Sequence, residues 1–107
     1  MVVVLTEMSF AAESLEAVRA LVPGVERFCR PFEGCERFDC SFPPHRPCTL
    51  FTTEVWRDVQ TLRAHVAVAH DAPELEGFHA LVKNMTASLF TASPLELDAL
   101  GSGEVVP

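Results

Sequence analysis

The segment from Glu54 to Val82, EVWRDVQTLRAHVAVAHDAPELEGFHALV, joins the end of a predicted strand to two predicted helices. It contains the single tryptophan of the chain, Trp56, and three of its four histidines. Both helices have apolar residues at helical spacing, and His65 and His79 lie on or beside the two stripes. The stripes consist of Leu62, Val66 and Ala69 in the first helix and of Leu75, Phe78, Val82 and Met85 in the second. We therefore expect imidazoles and an indole to border the space between the helices and the sheet, and any small-molecule site to lie there.

The composition indicates one packed globular domain. The chain has 107 residues, of which 49% are hydrophobic, and this is enough for a modest core. Such a composition also leaves apolar surface in excess, which a second subunit would cover.

The charge balance argues against two classes of partner. With 8 basic and 15 acidic residues the formal net charge is -7, which disfavours non-specific binding to nucleic acids or to anionic membranes. The longest early apolar run, Met1 to Leu5, is short and has no basic residues before it. We therefore predict neither a signal peptide nor a membrane span, and we expect a cytoplasmic protein.

The four cysteines form no recognisable metal motif. Cys29, Cys35, Cys40 and Cys48 include no CxxC pair and match no standard zinc module. A Cys/His metal site that includes His45 and a disulfide in a reducing compartment are the alternatives, and both are disfavoured. We predict reduced thiols that pack as small apolar side chains, and no metal site.

Hydrophobic periodicity predicts the element order β-α-β-β-α-α-β. The predicted strands, of which the second and third form a hairpin, are Met1 to Phe10, Cys35 to Phe42, Cys48 to Trp56 and Ala87 to Ala92. The first predicted helix begins near residues 12–14 and ends before Pro31. The second runs from an N-cap at Asp58 to about Ala69, and the third runs from an N-cap at Asp71 to about Met85. Pro23-Gly24 predicts a kink or a break in the first helix near Val22, because proline removes a backbone hydrogen bond.

With right-handed crossovers, this order gives an α+β fold of the ferredoxin-like type, in which a four-stranded antiparallel sheet has its helices on one face. We assign the domain to residues 1–96 and predict that the tail, 97–107, is flexible or crosses to a partner. The other face of the sheet is left uncovered by helices. Because the chain is rich in apolar residues, we expect this open face to pair with a second copy in a homodimer.

Four motifs, in this order, resemble those of the antibiotic biosynthesis monooxygenase (ABM) domain family, whose members are ferredoxin-like homodimers that form a dimeric α/β barrel. The motifs are the opening strand VVVLTEMSF, the turn Phe32-Glu33-Gly34-Cys35, the strand end Glu54-Val55-Trp56, and Leu62, His65 and His70 in the pattern Leu-x-x-His-x-x-x-x-His. The resemblance extends over roughly residues 1–96.

The resemblance implies one candidate activity. Characterised members include oxygenases that convert a phenolic or polyketide aromatic to a quinone with O₂ and without metal or flavin, so no cofactor is expected. In such a reaction the protein supplies a general base, donors for a developing oxyanion and a dry pocket. A neutral imidazole suits the base, and we predict His65 in this role first and His79 second. Trp56 would donate a hydrogen bond from its indole or wall the pocket.

The predicted substrate-binding residues are Thr6, Phe10, Phe38, Phe51 and Phe78. Thr6 stands at or beside the position of strand one where some family members carry an asparagine, and the four phenylalanines would line an apolar pocket. The same aromatic pattern is expected of a core that binds no ligand. The chain has no tyrosine, so no tyrosine donor is available.

Haem is the alternative cofactor that the resemblance suggests. A related branch degrades haem with an iron-ligating histidine on its last helix, together with a tryptophan and an asparagine, and His79 falls near that ligand position. Here His65 stands about where that tryptophan would be, and no asparagine occurs on strand one. Haem is therefore the less favoured expectation.

Two other functions remain open. The chain would be a non-catalytic dimeric module that binds a small molecule, or a cyclase or isomerase that uses a histidine base without O₂. In the module, His65 would be a structural histidine hydrogen-bonded between helix and sheet, and Trp56 a core or interface anchor. A cavity lined by the imidazole and the indole favours the enzyme, and a filled interior favours the module.

Overall fold

The computed structural model describes residues 1–95, and the tail predicted for 97–107 lies outside this range. Within it, the strands and helices are β1 (Val2–Phe10), α1 (Leu15–Cys29), β2 (Cys35–Ser41), β3 (Thr49–Trp56), α2 (Val59–His70), α3 (Glu76–Leu81) and β4 (Val82–Thr91). Single turns of 3-10 helix, Ala12–Ser14 and Pro73–Leu75, precede α1 and α3. None of the helices in these residues is long and apolar enough to cross a membrane.

The strands form one antiparallel sheet in the order β2-β3-β1-β4. This is the strand order of a ferredoxin-like fold, so the predicted fold class is confirmed. The register places Val4 of β1 between Glu54 of β3 and Leu89 of β4. The predicted hairpin of β2 and β3 is also present, with Cys40 opposite Thr52.

The helices cover one face of the sheet, towards which the even-numbered residues of β1 and β3 point. The main core lies beneath α1 and α3 and consists of Phe10, Val18, Val22, Val25, Cys29, Phe38, Leu50, Ala72, Leu75 and Phe78. A smaller cluster beneath α2 consists of Val2, Val4, Trp56 and Leu62. Cys35 of β2 packs against both groups, so the two clusters adjoin. Burial of these side chains is the main driving force for the fold.

The helix α1 continues through Pro23, so of the predicted kink or break near Val22 the break is wrong, and the kink stays a prediction. Buried side chains lie on both sides of the proline, with Val18 and Val22 before it and Val25 and Cys29 after it. Proline removes only its own backbone donor, and burial of the apolar face on both sides offsets that loss.

The boundary between the last helix and the last strand also differs from the prediction. We predicted a helix to Met85 and a strand from Ala87, whereas α3 ends at Leu81 and β4 begins directly at Val82. Pairing with the edge of β1 satisfies the backbone of this segment, and those hydrogen bonds outweigh the helical spacing of its apolar residues. Met85, predicted on a buried stripe, is consequently 58% exposed.

One of the two predicted aspartate caps is present. Asp58 accepts a hydrogen bond from the backbone N–H of Thr61 at 2.8 Å at the start of α2. Asp71 caps neither α3 nor the 3-10 turn before it, and its carboxylate lies 3.0 Å from Nδ1 of His70, the last residue of α2.

Candidate active site

His65 lies at the centre of the buried face of α2. Thr61 and Leu62 are buried with it, whereas Val66, which we predicted on the buried stripe, is 55% exposed. Neighbouring residues of a helix point about 100° apart, so the rotation that turns His65 inward turns Val66 outward. The imidazole therefore faces the sheet.

Three aromatic rings surround the imidazole. Its centroid lies 4.5 Å from that of Trp56, with the ring planes 31° apart. The Phe32 ring lies 4.8 Å away with its plane at 85°, and the Phe38 ring completes the enclosure at 6.2 Å. His65 is left 6% exposed, and Trp56 is fully buried.

Neither nitrogen of the His65 ring has a hydrogen-bond partner among the described residues, although both are buried. Buried polar atoms are nearly always hydrogen-bonded, because an unpaired one has lost its water without compensation. His65 thus makes no hydrogen bond between helix and sheet in residues 1–95. An unpaired buried group of this kind is a candidate for a ligand-binding or catalytic role.

Burial lowers the pKa of His65 below its ordinary value of 6.5, because the imidazolium cation would lose its hydration in these apolar surroundings. At neutral pH the imidazole is therefore uncharged and has one N–H donor and one nitrogen lone pair. The lone pair can accept a proton from a ligand, and the N–H can donate a hydrogen bond to it.

Glu54 is the second titratable group of the site and lies on the same face of β3 as Trp56. Its Oε1 accepts a hydrogen bond from Trp56 Nε1 at 2.9 Å, and its Oε2 accepts one from the Thr52 hydroxyl at 3.3 Å. Thr52 Oγ1 also forms a hydrogen bond with Thr6 Oγ1 of β1. Because Thr52 donates its only hydroxyl proton to Glu54, the Thr6 hydroxyl is the donor in that pair. The four side chains form one hydrogen-bonded chain across the sheet.

This hydrogen-bonded chain limits what Trp56 can contribute. The single indole N–H is already donated to Glu54. The indole therefore presents its face to His65 and has no free donor for a ligand in this arrangement. Of the two roles considered for Trp56, the geometry suits the pocket wall.

Burial raises the pKa of Glu54 above its ordinary value of 4.5, and the hydrogen bonds from Trp56 and Thr52 oppose the rise. Within residues 1–95, no lysine or arginine forms an ion pair with this carboxyl. A buried carboxylate without a cation is costly, so the neutral acid is favoured more than it would be in water.

We expect Glu54→Gln to remove part of the pH dependence of stability. As pH rises above 4.5, the unfolded chain loses its Glu54 proton before the folded protein does, so the wild-type free energy of unfolding falls until the folded carboxyl also ionises. Glutamine has no such proton, and its amide oxygen can still accept from Trp56. The stability of the variant relative to the wild type, measured by urea unfolding, should therefore be higher at neutral pH than at pH 4.5.

Glu13→Gln, at an exposed position of the turn before α1, serves as the control. A stability difference between Glu54→Gln and wild type that stays constant across this pH range would contradict the assignment.

His79 lies apart from this site. It is exposed on α3 and lines a surface cleft of about 570 Å³ together with His70, Asp71, Ala72, Pro73, Glu76 and Ala80. Its ring contacts that of Phe78, and no ring contact joins it to His65 in the described chain. The structure thus separates the two imidazoles that we predicted as first and second choice of base.

The predicted substrate-lining phenylalanines are divided between two places. Phe10, Phe38 and Phe78 belong to the main core, and Phe38 also contacts the imidazole. Phe51 lies on the open face of the sheet, with the Arg46 guanidinium 5.7 Å from its ring centroid. The alternation of β3 accounts for this, because side chains at odd separation point to opposite faces and Trp56 faces the helices.

The interior around His65 is filled. Clefts of about 330 to 570 Å³ indent the surface of residues 1–95, but neither His65 nor Trp56 lines these four clefts. A ring-sized ligand therefore reaches the imidazole only if a neighbouring side chain moves.

The side chains that could act as ligands offer little support for a metal site or for haem. Residues 1–95 contain no group of three or more His, Cys, Asp or Glu side chains placed to hold a metal ion. All four cysteines are free thiols, and burial raises the pKa of Cys29 and of Cys40 to about 12. The cleft at His79 does not suit haem, because carboxylates line it and no phenyl or indole ring does.

Phe32 and Glu54 belong to this site but were not predicted as site residues. The sequence does contain a signal for Glu54. Thr52, Glu54 and Trp56 occupy every second position of a strand, so the Glu54 carboxyl lies on the same face as Trp56, the face that meets the helices. Phe32 has no such signal, since it lies in a turn and only the fold brings its ring to His65.

Comparisons with known proteins identify the family. The sequence model for antibiotic biosynthesis monooxygenase matches residues 1–80. No curated protein matches the chain. Among solved structures, a candidate antibiotic biosynthesis monooxygenase from Deinococcus radiodurans has a TM-score of 0.78 at 21% identity, covering 90% of this chain and 96% of that one.

Two further structures are similar. A candidate antibiotic biosynthesis monooxygenase from Nitrosomonas europaea has a TM-score of 0.76 at 16% identity, covering 86% of this chain and 98% of that one. SnoaB, a cofactor-independent oxygenase from Streptomyces nogalater solved as a variant, has a TM-score of 0.72 at 17% identity, covering 88% and 94%. Likeness at these identities establishes the fold, and the sequence match extends over most of the chain. The chain belongs to the antibiotic biosynthesis monooxygenase family.

Proposed function

We propose that this protein is a cofactor-independent monooxygenase that oxidises a small aromatic substrate, a phenol or an anthrone, to a quinone with O₂. The observation that carries the proposal is the His65 imidazole, which is buried and uncharged at neutral pH and has no hydrogen-bond partner for either nitrogen within residues 1–95. Membership of the family and similarity to the cofactor-independent oxygenase SnoaB support it.

His65 acts as the general base in the proposed reaction. Its lone pair takes the proton of a phenolic or enolic hydroxyl, and the resulting electron-rich anion reduces O₂ itself, so the substrate supplies the electrons. A carbon–oxygen bond forms and the O–O bond breaks. One oxygen atom becomes the quinone carbonyl, and the other leaves as water with the two hydrogens that the substrate has lost. The imidazolium supplies one of these two hydrogens, namely the proton that it took from the substrate hydroxyl, and so returns to its neutral form.

The surroundings of His65 suit this step. The rings of Phe38 and Trp56 exclude water from the imidazole, which protects the anion from reprotonation by solvent. The same apolar surroundings disfavour the imidazolium, so it readily returns the proton to the reduced oxygen. Glu54 holds the indole in place and so fixes one wall of the site.

A non-catalytic module of the same fold is the second candidate. The observation that favours it is the close packing around His65 and Trp56, which are 6% and 0% exposed and line none of the four clefts described above. The two candidates differ in one measurable respect, because the module binds an aromatic molecule without consuming O₂. A cyclase or isomerase would convert its substrate under anaerobic conditions.

Oxygen uptake tests the proposed function. The purified protein, freed of trace metals by a chelator, is incubated with a panel of phenols and anthrones while dissolved O₂ is followed with an electrode. We expect uptake above the spontaneous rate for at least one member of the panel, with one O₂ consumed per quinone formed. Aromatic binding without uptake above the spontaneous rate for any member would favour the module.

We further propose that the open face of the sheet forms a homodimer. Leu5 and Phe90 are 44% and 53% exposed on this face, next to the half-buried Val3 and Val55. Contiguous apolar surface of this kind commonly marks an interface with another protein.

Leu5→Glu is expected to dissociate this dimer. Leu5 lies on β1, a central strand of the sheet, so the new charge would be buried without a partner in the middle of the interface. Light scattering after gel filtration should give twice the chain mass for the wild type and one chain mass for the variant. Val68→Glu, at an exposed position of α2, is the control and should remain dimeric. A monomeric wild type, or a Leu5→Glu protein that stays dimeric, would contradict the proposal.

A further inference from the structure

Phe32 is the least buried of the three rings around His65. It lies in the turn between α1 and β2, and its ring meets the imidazole edge-on at 4.8 Å and the Phe28 ring at 5.4 Å. Trp56 is fully buried and Phe38 is 5% exposed, so both are held on all sides by the core. Phe32 is only partly buried, and it is therefore the ring that can leave the imidazole at the lowest cost.

The backbone of Phe32 is fixed even though its side chain borders solvent. Its N–H donates to the carbonyl of Cys29 at 3.2 Å, and its own carbonyl accepts from the N–H of Cys35 at 3.0 Å. Two residues further along the turn, the carbonyl of Gly34 accepts a hydrogen bond from the N–H of Arg57 at 2.8 Å. Movement of the Phe32 ring is therefore a rotation of the side chain between staggered positions, with the turn itself held in place.

From these contacts we infer that Phe32 covers a binding site for one planar aromatic ring beside His65, and that a ligand enters when the Phe32 ring rotates outward and is replaced by the ligand's ring. The class of ligand, a small phenol, rests on the proposed function. Binding itself requires neither O₂ nor turnover, so it can be tested separately.

The exchange of one ring for another explains two observations together. One of the two His65 nitrogens that lack a partner in residues 1–95 gains one when the incoming ring carries a hydroxyl group, because the lone-pair nitrogen of the neutral imidazole accepts a hydrogen bond. The absence of a cleft at His65 or Trp56 in the four clefts of residues 1–95 then reflects a site occupied by Phe32. The apolar contact that the imidazole and indole lose with Phe32 is restored by the ligand.

Phenol is the probe of choice because its ring matches that of the Phe32 side chain. Trp56 is the single tryptophan of the chain, so its fluorescence reports binding at this site alone. We expect Phe32→Ala to bind phenol about tenfold more tightly than the wild type, because the site no longer has to open. Phe28→Ala, which removes a neighbour of Phe32 that has no ring contact with His65, should stay within about twofold of the wild type.

Two further measurements distinguish a phenol-binding site that includes His65 from a cavity that the Phe32 substitution merely creates. Phe32→Leu keeps an apolar side chain in the turn and should bind phenol with intermediate affinity, so it decides the question if Phe32→Ala does not fold. Toluene lacks the hydroxyl, and the ratio of phenol to toluene affinity should fall when His65→Phe is added to either Phe32 variant. In stopped flow, the rate of phenol binding should level off with concentration in the wild type and rise linearly in Phe32→Ala.

Equal phenol affinities in the wild type and both Phe32 variants, or no binding to any of them, would overturn the inference. A protein that follows the expected binding pattern but never consumes O₂ would leave Phe32 in its role and remove the oxygenase. Oxidation of aromatics with the same KM in the wild type and the Phe32 variants would support the oxygenase but contradict the proposed role of Phe32.

Discussion

His65→Gln is expected to lower kcat for aromatic oxidation by about 10²–10⁴-fold. Glutamine is close in size and can form hydrogen bonds, but it cannot take a proton from the substrate. The substitution therefore removes the base while it keeps the Phe32, Phe38 and Trp56 walls in place. The rate is measured as O₂ uptake with the best substrate of the phenol and anthrone panel.

His79→Gln is the matched control, because it makes the same change at an exposed position of α3. We expect it to keep the wild-type rate, since the structure places His79 on a separate surface cleft. If His65→Gln retained most of the activity, or if His79→Gln lost it, the general base would have been assigned to the wrong residue.

The pH profile gives an independent reading of the same residue. The base works in its neutral form, and burial lowers the pKa of His65 below 6.5, so kcat/KM should rise with pH to a plateau, and the midpoint of this rise should lie below pH 6.5. Protonation of His65 also changes the stability of the fold, in a direction that follows from its lowered pKa. As pH falls below 6.5 the unfolded chain gains a proton on His65 before the folded protein does, so this group lowers the stability of the wild type there, and His65→Gln lacks that contribution.

Gly34→Ala is expected to lower the free energy of unfolding by about 2–4 kcal/mol. Gly34 has a φ of 81°, in the left-handed region where an L side chain is strained. A Cβ at this position would also lie 2.5 Å from Cβ and 2.7 Å from Cγ2 of Thr61. The helical backbone of α2 fixes Thr61 Cβ, so the turn between α1 and β2 would have to shift.

Thermal unfolding measures this effect, and the expected loss corresponds to a fall in Tm of roughly 10–20 °C for a domain of this size. Gly77→Ala is the control, because Gly77 is exposed in α3 and an added Cβ meets nothing within 4 Å. That substitution should stabilise the protein by about 0.5–1 kcal/mol, since alanine favours the helix. Equal effects of the two substitutions would show that the packing of the turn against Thr61 has been misread.

The sheet and its faces could be predicted because strand alternation is a local signal. Thr52, Glu54 and Trp56 share a face of β3 in the sequence pattern and in the structure, and the Asp58 cap of α2 follows from local chemistry as well. The end of α3 could not be predicted in this way. The residues before Met85 have helical spacing, and only pairing with β1, which is distant in the chain, makes them a strand.

The candidate site was predictable only in part. His65 and Trp56 could be placed near each other because one lies on a helix and the other on the strand that leads into it. The contact with Phe32 and the absence of hydrogen-bond partners for the imidazole among residues 1–95 depend on tertiary packing, which leaves no periodic signal in the sequence. For the same reason the sequence could not show that His79 faces a different cleft.

The most direct test of the proposed chemistry is the source of the oxygen atom in the product. The wild type and His65→Gln are each incubated with the best substrate under isotopically labelled O₂, and the new quinone is analysed by mass spectrometry. We predict one labelled atom per quinone from the wild type, and at least about 10²-fold less enzymatic product from His65→Gln in the same time. Incorporation of oxygen from water, or equal yields from the two proteins, would contradict a His65-dependent monooxygenase.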